Sequence, residues 1–178
     1  MENWKKLFEI SFILLFIFLV FKPVFLERKL PIPADTIVGM YNPWHDVFLN
    51  VPFKNFLITD PVRQQFPWRQ LSIDLLKRNT LPLWNPYTFS GTPLLTNIQS
   101  AAFYPLNIIY WFTNFSTGWS VQVILQVVFG GLFMALLLKF YKLHPYAVTL
   151  GVLAWISSGF FVAWLEWNTV IQVVLWLP

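Results

Sequence analysis

Cysteine is absent from the 178 residues, so the chain has no disulfide framework and no thiolate metal site. Charge is scarce as well. Asp, Glu, Lys and Arg make up 11% of the sequence, against about 25% in a soluble domain. With 57% hydrophobic and 20% aromatic residues and a mean hydropathy of +0.58, the composition is that of an integral membrane protein. The surplus of Trp and Phe suits side chains at lipid–water boundaries. The net charge of +4 comes without a basic stripe, so no nucleic-acid partner is implied. A Walker loop, a Ser-His-Asp order, an HExxH and a CxxC are all missing, and with them the chemistries they mark.

What is present is apolar sequence in blocks. Residues 7–25 are almost unbroken apolar sequence, and at 1.5 Å per residue they approach the roughly 30 Å of a bilayer core. Glu9 and Lys22 sit near the two ends, where long side chains can snorkel. No small-residue cleavage site follows, so the segment is expected to be a retained span rather than a signal peptide. Further spans are expected at 121–140 and 146–164, with the start of another at 170–178. Gln122 and Gln126 lie one turn apart, which directs that face of the second span toward protein. Gly130 and Gly131 permit close helix contact. Lys5, Lys6, Lys139 and Lys142 flank short segments and place the N-terminus in the cytoplasm. The long loop at 27–118 is then extracytoplasmic, and Glu166 lies outside again. From the apolar run at 170–178 the chain is expected to be an N-terminal piece of a larger multi-pass protein of the cell membrane.

The outside loop carries most of the charge. Within it, 67–78 is expected to be an amphipathic helix in the interface plane, with Trp68, Leu71, Leu75 and Leu76 on one face. Arg69, Gln70, Asp74 and Lys77 fall mostly on the other, and Ile73 breaks the pattern. Residues 103–115 are apolar but short, as re-entrant or interfacial segments are. The stretch 81–107 organises the loop. Pro82, Pro86, Pro93 and Pro105 exclude a regular helix or strand. Trp84, Asn85, Asn97 and Gln99 set amide and indole groups among apolar side chains, where they need partners. Composition favours a structural plug over the floor of a binding site.

Two acids stand out. Asp35 follows the first span, and Asp60 opens a second stretch with a similar order of acid, spacer, aromatic and Pro-Trp. Each is near a turn, and Arg63 and Arg69 follow Asp60. A carboxylate can take a proton from a hydroxyl nucleophile, or hold Mg²⁺ or Mn²⁺ with waters. An Arg can clamp a phosphate. The set suits group transfer from a phosphate-linked donor. The competing reading of Asp60 is an N-cap for a helical turn begun by Pro61.

The runs 59–68, Pro82-Leu83-Trp84-Asn85-Pro86, Ser90-Gly91-Thr92-Pro93 and 97–107 resemble the N-terminal region of the bacterial YfhO-type membrane proteins, a family similar to the GT-C glycosyltransferases. The resemblance implies an all-α, polytopic, GT-C-like fold with a long extracytoplasmic first loop containing interfacial helices. It implies transfer of a sugar from a polyprenyl-phosphate-linked donor to a glycan or lipid acceptor at the outer face of the bilayer. Asp60 or Asp35 would be catalytic. Arg63, Gln65, Arg69, Trp84, Asn85, Asn97, Gln99 and Glu166 would bind substrate. The sequence has no Asp-x-Asp pair, so Mg²⁺ or Mn²⁺ stays an open possibility rather than an assigned cofactor. The alternative is a non-enzymatic transporter, flippase or scaffold for envelope polymers.

Overall fold

The computed structural model describes residues 2–39, 41–48, 58–165 and 167–178, with side chains from Ile10 onward. Glu166 therefore lies outside the described residues. The chain divides into two compact units, Met1–Pro31 with Ser116–Pro178, and Ile32–Phe115. The first is built mainly from helices, and helices are the chief regular elements of the second.

In the first unit, α1 (Glu2–Val20) and α2 (Lys22–Glu27) replace the single continuous helix expected at 7–25. The break falls at Phe21, whose φ of −94° and ψ of 14° leave the helical region. Pro23 is the cause. It has no N–H to bond back to the fourth residue before it, and its ring crowds that carbonyl. Among the described residues, the apolar stretch of α1 is Ile10–Val20, shorter than a bilayer crossing. At the other end, α2 stops on Arg28 in the left-handed region, at φ 55°.

α6 comes later in the chain, as Phe115–Phe140, and is long and apolar enough to cross a membrane. It starts six residues before the expected 121. Hydropathy fades there through Ser116, Thr117 and Gly118, but the backbone ladder does not. Gly118, Gln122 and Gln126 repeat every four residues along its buried side, together with Trp119, Val123, Val127 and Gly130. The expected third span is two helices, α7 (Pro145–Ile156) and α8 (Gly159–Leu165), bent by 47°. Serine chemistry accounts for the break. The Ser157 hydroxyl donates back to the Leu153 carbonyl at 2.6 Å, and the Ser158 hydroxyl accepts the Phe161 N–H at 3.2 Å, starting a new helix. The last element, α9, is one turn, Ile171–Val174. Among the described residues, one helix passes the test for a crossing, or two if the bent pair is counted as one span.

α1 packs on α7. Phe161 of α8 lies over Gly130, where an added Cβ would sit 2.8 Å from its ring. Gly131 faces Val152, whose Cγ1 would lie 3.4 Å from an added Cβ. These are the close approaches that small residues permit.

The second unit holds α3 (Asp35–Val38), α4 (Trp44–Val47) and α5 (Phe66–Lys77). A π-helical turn, Pro61–Gln65, leads into α5. The rest is a minimal hairpin of β1 (Trp84–Asn85) and β2 (Thr92–Pro93), antiparallel with Trp84 opposite Pro93, and two 3₁₀ turns, Ile98–Ser100 and Pro105–Trp111. α5 packs against both 3₁₀ turns. Its buried face is not the one that hydrophobic patterning selects. Gln65, Arg69, Ser72 and Ile73 are inside, while Trp68, Leu71, Leu75 and Leu76 are half-buried. Ile73, the apparent exception, belongs to the core, and Arg69 enters with it because it finds a partner there.

Candidate functional site

Asp60 sits at the mouth of the π-helical turn. Its backbone is already helical, at φ −56° and ψ −39°, and its side chain does not bond the turn's N–H groups. The Thr59 carbonyl accepts from Val62 and Arg63, so the turn begins one residue earlier than an Asp60 cap requires. The half-buried carboxylate accepts from the Gln64 side-chain amide at 3.2 Å. The N-cap reading of Asp60 is thereby corrected. The negative charge still lies in the first turn, where the helix dipole favours it. π-helical turns are uncommon and recur at functional sites.

Two turns on, Arg69 is fully buried. Its guanidinium hydrogen-bonds the Tyr110 hydroxyl, with Tyr104 also close enough to matter electrostatically. Burial pulls the Arg69 pKa below its usual value, and Tyr110 and Tyr104 push the other way. Burial pushes the Tyr110 phenol up to about 12, against the pull of the Arg69 charge. A guanidinium remains charged in protein interiors, so Arg69 and Tyr110 form a cation–phenol pair. As placed, Arg69 anchors α5 to the Pro105–Trp111 turn rather than meeting a phosphate at the surface.

Gln65 is also buried and donates to Gln99 Oε1 at 3.0 Å. Its own Oε1 has no hydrogen-bond partner among the described residues. Arg63 is exposed, with its guanidinium carbon 5.7 Å from the centre of the Tyr41 ring, a cation–π distance. Trp84 is 53% exposed. Asn85 spends its side chain on its own turn, with Oδ1 accepting from Tyr87 N–H and Nδ2 donating to Thr88, both at 2.9 Å. Asn97 caps the Ile98–Ser100 turn by accepting from Gln99 N–H at 3.2 Å. Asp35 is half-buried and opens α3. Among the described residues, no three His, Asp or Glu side chains come together as a metal cage would need.

The structure thus ties Gln65 to Gln99 and sets Asp60, Arg63, Gln65 and Arg69 along one helical run. It assigns Asn85 and Asn97 to turn geometry. Tyr110 and Asn107 were not singled out from the sequence. Asn107 donates to the carbonyls of Ala101 and Ala102, at 2.6 and 3.2 Å, and holds that loop closed. The signal available for Tyr110 was a phenol in a Pro-initiated segment opposite a helix bearing an Arg.

A second polar cluster lies in the other unit. Gln122, Gln126, Asn168 and Gln172 are all buried. Asn168 Oδ1 accepts from Gln126 and, at 3.2 Å, from Gln172, while its Nδ2 donates to Gln122 Oε1 at 3.3 Å. The chain matches no described protein family, no curated protein and no solved structure.

Proposed function

We propose that this chain works in a GT-C-like, multi-pass membrane glycosyltransferase that moves a sugar from a polyprenyl-phosphate-linked donor to an envelope or lipid-linked acceptor outside the membrane. The observation that carries this reading is the Asp60 carboxylate. Among the described residues it is held at a π-helical turn by the Gln64 amide, and it is not consumed by capping. A carboxylate so placed can take the proton of an acceptor hydroxyl. The acceptor oxygen then forms a bond to the sugar's anomeric carbon as the bond from that carbon to the phosphate oxygen breaks. The lipid phosphate leaves with the extra negative charge, which exposed Arg63 is suited to receive. The exposed Trp84 indole offers an apolar face to a sugar ring. Gln65 and Arg69 support this run from below. Among the described residues no three acidic side chains come together, and the roles given to Asp60, Arg63 and Trp84 hold with or without Mg²⁺ or Mn²⁺.

The test is Asp60→Asn in the intact membrane protein. Transfer from a polyprenyl-phosphate sugar should fall by at least about 100-fold, the lower range for loss of a general base, with expression and thermal stability kept. Full transfer by both Asp60→Asn and Asp35→Asn removes the catalytic assignment.

One observation favours the non-enzymatic reading. The buried amide cluster of Gln122, Gln126, Asn168 and Gln172 is a polar interior of the kind that lines or braces transport proteins. In either case we place the N-terminus in the cytoplasm and 27–118 outside, on the strength of Lys5, Lys6, Lys139 and Lys142. A reporter fused after Gly118 and active in the cytoplasm reverses that placement.

A further inference from the structure

A cleft of about 570 Å³ opens within the first unit, between the end of α2 and the first turns of α6. That volume falls in the range of small-molecule sites. One wall carries Phe25 and then Arg28 and Lys29; the other carries Ser116 and then Val121 and Ile124. Val24, Phe25, Val121 and Ile124 supply the apolar part of the lining, while Arg28 and Lys29 with Ser116, Thr117 and Ser120 supply the polar part, and Leu30 lies next to the cations. The cleft is therefore amphipathic, with cations and hydroxyls on one part of its lining and hydrocarbon on the other.

Three further observations sharpen this. Arg28 stands at φ 55°, where a helix stop favours Gly or Asn, so a cation is kept at a position that costs backbone strain. Lys29 is paired with Glu27 at 2.7 Å, whereas Arg28 has no ion pair among the described residues. The cationic part also adjoins the start of α6, the helix long and apolar enough to cross a membrane. The N–H groups of a helix's first turn point outward and favour anions. The start of such a helix lies at the level where lipid phosphates sit. Phe25 and Leu26 are 47% and 62% exposed beside it, as side chains facing acyl chains would be.

We propose that this cleft binds an anionic phospholipid of the bilayer, with its phosphate at Arg28 and the first turn of α6 and an acyl chain along Phe25, Val121 and Ile124. Charge complementarity selects an anionic headgroup, and the apolar wall selects a lipid over a free phosphate. The proposal is independent of the sugar-transfer reading.

The experiment follows thermal unfolding of the intact protein in non-ionic detergent. Four probes are added separately: phosphatidylglycerol, phosphatidylcholine, inorganic phosphate and a polyprenyl monophosphate. Phosphatidylglycerol at about 100 times its Kd should raise Tm by roughly 5 °C. Phosphatidylcholine should do less, and inorganic phosphate nothing. The double variant Arg28→Asn/Lys29→Gln should lose the gain, and Asn keeps the left-handed backbone accessible so that the variant folds. Lys77→Gln/Arg78→Gln removes the same charge from the other unit and should keep it. Equal gains with phosphatidylcholine, a gain from inorganic phosphate alone, or a gain retained in the Arg28/Lys29 double variant each overturn the proposal. A larger gain from polyprenyl monophosphate overturns the assignment to a bilayer phospholipid.

Discussion

Gly91 presses its backbone against the Trp84 indole. A Cβ built there would lie 2.5 Å from Trp84 Nε1, and the φ of 120° is one that side chains rarely adopt. Two independent penalties therefore fall on any substitution. Gly91→Val should cost more than about 2 kcal/mol and leave little folded protein. The two penalties separate in a second background: Gly91→Ala on top of Trp84→Ala keeps only the backbone strain, roughly 1–2 kcal/mol. Equal losses of Tm for Gly91→Ala with and without Trp84 remove the indole from the explanation.

The turn just before Gly91 is strained as well. Gly91 N–H bonds the Thr88 carbonyl at 2.8 Å, and the two residues between them have φ of 48° (Phe89) and 64° (Ser90). Hairpin turns of this hand favour Asn-Gly. Phe89 is 94% exposed, so its replacement sacrifices no core contact. Phe89→Asn/Ser90→Gly is expected to raise stability by about 1 kcal/mol, read as a higher urea midpoint with unchanged slope. A lower midpoint shows that the exposed ring does something for the fold.

Tyr110 gives the protein a pH limit. The folded phenol holds its proton to about 12, while an unfolded Tyr loses it near 10. The unfolded state thus binds fewer protons between these values, and stability falls as pH rises through 10 toward 12. Below pH 10 the contribution is fully present. Tyr110→Phe should cost about 1.5–3 kcal/mol at pH 7, because the buried Arg69 charge loses its acceptor. It should also flatten the alkaline decline by one proton. An unchanged alkaline slope in the variant assigns the decline to other groups.

The amide cluster of the helical unit can be measured by a double-mutant cycle. Gln126→Met removes one partner, and Asn168→Gly removes the other while suiting its φ of 49°. Each single variant strands a buried polar group. The coupling is predicted at about 0.6–1.7 kcal/mol, the span of interhelical hydrogen bonds in membranes. Additive losses mean that the Gln126–Asn168 bond contributes nothing of its own.

These tests fall where sequence reading did well and where it stopped. The one-turn spacing of Gln122 and Gln126 located a buried face because side-chain periodicity survives folding. The irregularity of 81–107 was legible because proline acts locally, but the exclusion of strand there is corrected by the short pair of Trp84–Asn85 with Thr92–Pro93, where Pro93 sits in a two-residue strand that asks little of its missing N–H. Pro23 and the Ser157–Ser158 pair also act locally, yet hydropathy averages over them, so two helix breaks were read as continuous spans. Arg69 shows the deeper limit. Its burial depends on a phenol 41 positions away, and no window on α5 contains that partner. The Asp60 cap failed for a smaller reason, since one residue's shift in the helix start moves a side chain from cap to first turn. Glu166 lies outside the described residues, and the pairing of Asp35 with Asp60 rests on sequence order alone.

If α7 and α8 cross a bilayer as one span, their 47° bend sets the depth of hydrocarbon they fit. A straight helix over 145–165 would reach about 31 Å along the membrane normal. With the second limb turned by 47°, the reach drops to about 27 Å. Hydrocarbon of that depth would take the pair as folded, whereas straightening the limb would break the Ser158–Phe161 bond and lift Phe161 off Gly130. For such a span, acyl-chain length would be a mechanical input, transmitted through two serines.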